Sequence, residues 1–166
     1  MKRDFERFYL KTFDSVYGFI LSRVYSKQDA EDLVGDIYYK ACRSFNESTK
    51  LNKAWIFTIA SNTLKNYYRD QKPTYMLSES VKGSENVEEW VISSERTSEL
   101  MVAINQLSLE DQLIVSLRYF GELSYRDISK VMEISISAAK TRMSRCLVKL
   151  RKVMREERDL YEGEYS

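Results

Sequence analysis

Between Ile134 and Arg155 the sequence places seven cations, Lys140, Arg142, Arg145, Lys149, Arg151, Lys152 and Arg155, and no acid. Solvated helix faces usually mix both signs, so this run asks for an anionic partner. Ser137, Lys140, Thr141, Ser144, Arg145 and Val148 recur every three to four residues and share one side of a helix. Ala139, Met143, Cys146/Leu147, Leu150 and Val153/Met154 share the other. Cations, hydroxyls and small residues on one face suit a helix lying in a DNA major groove, where they reach phosphates and base edges. Arg142 and Lys149 belong to the same basic run. Just before it, Tyr125–Met132 reads as a short helix with Ile128 and Val131/Met132 inward, and Glu133-Ile134-Ser135 as a turn. Residues 124–150 thus have the pattern of a helix-turn-helix.

Residues 53–72, KAWIFTIASNTLKNYYRDQK, interleave Trp55, Phe57, Tyr67 and Tyr68 with Lys53, Lys65, Arg69 and Lys72. Rings that stack on unpaired bases and cations that hold a backbone are the means of binding single strands. A stacked base is worth roughly 1–3 kcal/mol, comparable to the few kcal/mol needed to flip one out of a duplex. Phe57 fits a core stripe, and Trp55 suits either role. Tyr67 and Tyr68 cannot both face a core, so at least one is expected to be available. A third cluster is acidic: Asp29, Glu31, Asp32 and Asp36 open a helix, where acids complement the dipole. Asp32 and Asp36 share a face on which another chain could dock, whereas a single helix face makes a poor metal cage.

Other chemistry is excluded. With no His, Ser–His and Cys–His pairs are impossible, and two Cys without His cannot build the usual structural zinc site. Cys42 and Cys146, far apart in sequence, are expected as buried free thiols. Carboxylates and tyrosines remain, but no Gly-rich phosphate loop or convergent cluster accompanies them, so an enzyme is the weakest reading. No metal, cofactor or small-molecule substrate is expected. No apolar run is long enough to span a membrane. The N-terminus, MKRDFERFYLK, lacks the apolar core of a signal peptide, which points to a cytoplasmic chain.

The elements that must hold these groups are helical. Five Gly and one Pro in 166 residues leave little punctuation for sheets. One apolar stripe runs through Phe5, Phe8/Tyr9, Phe13, Val16/Tyr17, Ile20 and Val24. A second, behind Asp29 as an expected N-cap, runs through Leu33/Val34, Ile37/Tyr38, Ala41 and Phe45. A third runs through Ala54, Phe57, Ala60/Ser61, Leu64 and Tyr67/Tyr68. Pro73 is expected to end this block. Residues 73–95 read as a flexible linker, the alternative for part of it being a short helix around Glu88–Ile92. Helical spacing returns from Arg96. Ser108-Leu-Glu-Asp111 and Ser124-Tyr-Arg-Asp127 resemble capping boxes, and Gly121 fits a helix stop. The expected fold is all-α: two small helical domains, 1–72 and 96–166, joined by a flexible acidic linker, the C-terminal one a helix-turn-helix.

Charge divides along the same boundaries. Residues 1–72 carry 13 basic and 9 acidic groups (+4), residues 73–95 carry 1 and 5 (−4), and residues 96–166 carry 12 and 11 (+1), which sum to the net +1. Near-neutrality therefore hides two basic segments around an acidic one.

DAEDLVGDIYYKA, AWIFTIASNTLKNYYRD and LRYFGELSYRDISKVMEISISAAKTRMSRCLVKLRK, in this order, resemble an extracytoplasmic-function (ECF) sigma factor of bacterial RNA polymerase. The resemblance covers nearly the whole chain. It implies a promoter-specificity subunit that binds core RNA polymerase and promoter DNA and helps open the duplex. Asp29, Asp32, Leu33 and Asp36 would dock on the polymerase, with Gly35 standing where the family often has Gln. Lys53, Trp55, Asn62, Lys65, Asn66, Tyr67 and Arg69 would read and open the −10 element, with Asn62 in the pocket for a flipped base. Ser137, Lys140, Thr141, Arg142, Ser144, Arg145 and Lys149 would bind the −35 element. The linker would thread the polymerase RNA channel. An anti-sigma factor, often membrane-anchored, is an implied partner. The residues alone also admit a stand-alone helix-turn-helix regulator, which leaves 53–72 unexplained, or a polymerase adaptor, which leaves the basic helix unexplained.

Overall fold

The computed structural model describes residues 2–75 and 95–164. Most of the expected linker, and the short helix expected around 88–92, lie outside the described residues. The described residues form seven α-helices and no strand: α1 (Lys2–Leu21), α2 (Lys27–Ser44), α3 (Lys53–Tyr75), α4 (Glu95–Asn105), α5 (Leu109–Tyr119), α6 (Tyr125–Met132) and α7 (Ile136–Glu164).

The first three helices pack as the three stripes predict. Phe8, Val16, Phe19 and Ile20 of α1 meet Val34, Ile37 and Ala41 of α2 and Ile56, Phe57, Ala60 and Leu64 of α3, all buried. Phe19 and Phe57 meet edge-on, with ring centroids 5.5 Å apart. Tyr38 points inward too, and its hydroxyl pairs with that of Thr12 at 2.8 Å. Burial pushes the Tyr38 phenol up to about 12.

Four local expectations are revised. The N-cap of α2 is Ser26, not Asp29: its Oγ accepts from the Asp29 amide at 3.0 Å. The helix starts early enough to carry Asp29 into its first turn, where the carboxylate suits the dipole. Pro73 does not end α3, which continues to Tyr75; the proline forfeits the bond its missing N–H would give to the carbonyl of residue 69, and the helix stops two residues later. Cys42 is exposed while Cys146 is buried, because burying Ile37, Tyr38 and Ala41 turns position 42 outward. Val24 is buried but lies in the loop after α1.

In the second half, Ser108 and Ser124 cap α5 and α6 as expected, accepting from the Asp111 and Asp127 amides at 3.2 Å each. Gln112 bonds the carbonyls of Asn105 and Leu107 at 3.1 and 2.8 Å, closing the C-terminal end of α4. Gly121 follows α5, but the left-handed residue is Glu122, with φ 57°. Glycine is required at 121 for space. A Cβ there would lie 2.8 Å from the Leu117 carbonyl oxygen, 2.8 Å from Phe57 Cε1 and 3.0 Å from Leu123 Cδ1.

That contact joins the halves. Phe57 of α3 is fully buried against the α5–α6 loop, α3 packs on α6, and Lys53 Nζ donates to the Glu122 carbonyl at 3.5 Å. A single apolar core runs through both halves. Full burial of a side chain the size of Phe57 stabilises by roughly 1.5–3 kcal/mol, and part of that burial comes from the other half.

Candidate nucleic-acid interface

The α6–α7 turn presents the basic helix. Its first residue, Glu133, is left-handed (φ 56°, ψ 44°), a conformation that costs an L-residue roughly 1–2 kcal/mol. The Ile134 amide reaches back to the Ser129 carbonyl at 3.0 Å. Ser135 Oγ accepts from the Ala138 amide at 2.9 Å and opens α7. Ser129, half-buried, is small enough to let α6 and α7 approach.

On α7, Ala139, Met143, Cys146 and Leu150 are buried. Ser137, Lys140, Thr141, Ser144, Arg145 and Val148 are exposed on the opposite side, as their spacing predicts. Lys140 and Arg145 make no ion pair among the described residues. Their charges are available to phosphates or to guanine edges.

Arg142 and Lys149, grouped with that face by sequence, lie at its margin and are engaged within the chain. Arg142 donates from Nε to Asp111 Oδ1 at 3.0 Å and from Nη2 to Glu110 Oε2 at 2.7 Å. Lys149 Nζ reaches Asp111 Oδ2 at 3.0 Å. Burial disfavours the charged Asp111 carboxylate, but hydrogen bonds from Lys149 and Arg142 outweigh it and hold its pKa below the ordinary value. Donating to the Glu110 and Asp111 carboxylates raises the pKa of the Arg142 guanidinium. Beside them, burial and then the Asp111 charge push the Cys146 thiol up to about 11. Sequence reading assigned Ser108–Asp111 only a capping role. The acids stand 31 or more residues from their cations, a pairing no local pattern reveals.

The second surface is on α3. Trp55, Asn62, Asn66 and Arg69 recur at seven, four and three residues, so they fall along one stripe. Asn62, Lys65 and Asn66 are exposed, and their side chains make no hydrogen bond among the described residues. Trp55 is half-buried against Phe8, ring centroids 5.8 Å apart. Arg69 is exposed beside Asp70 at 3.6 Å. Lys53 and Tyr67 lie off this stripe. Tyr67 donates to Asp29 Oδ2 at 2.7 Å, and Tyr68 donates to the Arg23 carbonyl. Both rings pack partly against the core and stay half-exposed, so neither faces wholly inward nor wholly outward.

On α2, Asp32 is exposed and accepts from Gln28 at 3.1 Å. Asp36 pairs with Lys40 at 2.7 Å. Leu33 is half-buried between them. Both acids are solvent-facing partners of their own helix, and such exposed pairs contribute little, roughly 0.3–0.5 kcal/mol. A cationic surface could displace them at small cost.

Comparison with known proteins gives one family match in each half of the chain. Residues 8–74 match the sigma-70 region 2 model, and residues 97–150 match sigma-70 region 4. The chain is 26% identical to the RNA polymerase sigma factor YlaC of Bacillus subtilis, over 93% of this chain and 94% of that one. It is also 26% identical to the ECF RNA polymerase sigma factor SigW of the same organism, over 86% and 84%. Among solved structures, it is similar to the sigma factor RpoE from Bartonella quintana in complex with the anti-sigma factor NepR. That similarity has a TM-score of 0.69 and 24% identity, covering 92% of this chain and 98% of that one. It is also similar in fold to CnrH, in complex with the cytosolic domain of CnrY, with a TM-score of 0.70 and 16% identity over 94% and 90%.

Proposed function

Because the chain belongs to the sigma-70 family as an ECF sigma factor, with region 2 in α1–α3 and region 4 in α4–α7, we propose a specific division of labour among its surfaces. The α7 face of Ser137, Lys140, Thr141, Ser144 and Arg145 enters the major groove of the −35 element. Arg142 and Lys149 act at the margin of that face, their charge shared with Glu110 and Asp111. The α3 stripe of Trp55, Asn62, Asn66 and Arg69, with Lys65 beside it, takes the −10 element. Asn62 holds a flipped base, and Lys53 and Tyr67 flank the stripe. Asp29, Asp32, Leu33 and Asp36 dock α2 on core polymerase.

The observation that carries this reading is the pair of exposed, chemically suited faces on two different helices, α3 and α7. A stand-alone regulator needs only the second. The chain works by binding energy alone, without a reaction, cofactor or small-molecule substrate of its own, and acts in the cytoplasm. Among the described residues no helix is long and apolar enough to cross a membrane. By analogy with its structural neighbour in complex with an anti-sigma factor, an anti-sigma factor holds it inactive. The test is direct: core polymerase, this chain and a promoter library are combined and start sites mapped. Selective initiation dependent on the chain is expected. Absence of both core association and redirected initiation would overturn the assignment.

A further inference from the structure

Glu110 and Asp111, the acids of the cluster between α5 and α7, have no DNA contact in the proposed division of labour. Asp111 is almost fully buried, at 6% exposure. Each of its carboxylate oxygens accepts from a different cation of α7, Oδ1 from Arg142 and Oδ2 from Lys149, both at 3.0 Å. Glu110 takes the far end of the Arg142 guanidinium at 2.7 Å. Arg142, Cys146 and Lys149 are spaced four and three residues apart, and fall within about 60° of one another around α7.

One anion therefore grips one edge of the helix at two points almost two turns apart. Such a grip opposes both rotation about the helix axis and sliding along it. Rotation matters because one residue of roll is about 100°, enough to turn Lys140, Thr141, Ser144 and Arg145 off the outward face.

Resting on the assignment of α7 to the −35 major groove, we propose that Asp111 is a positioning residue for −35 readout, setting the roll and depth of α7 without touching DNA.

The test uses holoenzyme assembled from the full chain and core polymerase, with a promoter selected by the wild-type protein. Affinity is measured for that promoter and for a copy with altered −35 bases. Asp111→Asn is expected to reduce the ratio of the two affinities about five-fold or more, the scale of one misplaced base contact. Affinity for the altered copy is expected to rise, because Asn removes a negative charge and releases Lys149 toward phosphate, while Arg142 keeps its pair with Glu110. A merely structural role lowers both affinities in proportion, and that outcome, or an unchanged ratio, overturns the proposal. If Asp111→Asn melts below the assay temperature, Lys149→Met decides instead, keeping the aliphatic stem while removing one grip. A reduced ratio supports the proposal. An unchanged ratio overturns it, including the case where a lost phosphate contact weakens both sites equally. Failure of the wild-type chain to direct selective initiation would sink the sigma assignment itself, whereas selective wild-type initiation with an unchanged variant ratio sinks only the role of Asp111.

Discussion

The hydroxyl of Tyr67 donates a 2.7 Å hydrogen bond to Asp29 Oδ2. The bond ties the last turns of α3 to the first turn of α2, and so links the proposed DNA-opening helix to the proposed polymerase-docking helix. Tyr67→Phe keeps the ring and removes the donor. The expected cost is about 1.5–3 kcal/mol, the range for a hydrogen bond to a charged group, read as a lower denaturant midpoint. An unchanged midpoint would show that water replaces the bond without loss.

Arg145→Ala should weaken −35 binding by about 1–3 kcal/mol, with relaxed preference at one base position. Equal weakening on every sequence would identify a phosphate contact instead. Competition binding against a −35 library distinguishes the two.

Asn62→Ala should leave −35 duplex binding intact and impair promoter opening. Asn62 is exposed on α3, far in sequence from α7, so its loss does not disturb the basic helix. Reactivity of unpaired thymines to permanganate reports the opening. Normal opening would remove Asn62 from the base pocket.

Gly121→Ala should destabilise the chain by about 1–3 kcal/mol, the usual cost of overpacking. The nearest obstacle is the Leu117 carbonyl, which is backbone and cannot rotate away. Thermal unfolding provides the measurement; a stability within error of wild type would mean the α5–α6 loop yields easily.

Acid should loosen the α5–α7 cluster in a defined direction. The folded-state pKa of Asp111 is lowered, so its contribution is fully present above the unfolded carboxylate value of about 3.9. It is lost as pH falls through the lower folded value. The stability gap between wild type and Asp111→Asn should therefore shrink as pH falls below about 4. A gap constant with pH would show that the charge on Asp111 contributes nothing.

Periodicity carries far in this chain because helices impose a strict spacing on what is buried. The stripes of α1–α3, the caps at Ser108 and Ser124, and the outward face of α7 all follow from residue types a few positions apart. What escaped depends on distant chain. Nothing near Arg142 marks it as the partner of Glu110 and Asp111, and nothing near Tyr67 marks Asp29. A basic run predicts a charged face, but whether each cation points to solvent or to an acid is decided by tertiary packing. Gly121 shows the same limit: its position after a helix suggested a left-handed stop, whereas its small size is demanded by Phe57 and Leu117.

Phe57 and Gly121 belong to segments that match two separate family models, yet neither can change size alone. A larger residue at 121 meets Phe57 across the seam as well as the Leu117 carbonyl of its own half. The two halves are consequently not interchangeable cassettes: a chimera that takes α1–α3 from one relative and α4–α7 from another inherits a mismatched seam unless both positions travel together. Exchange of halves is constrained at this pair of sites even where every residue of the proposed DNA faces is kept.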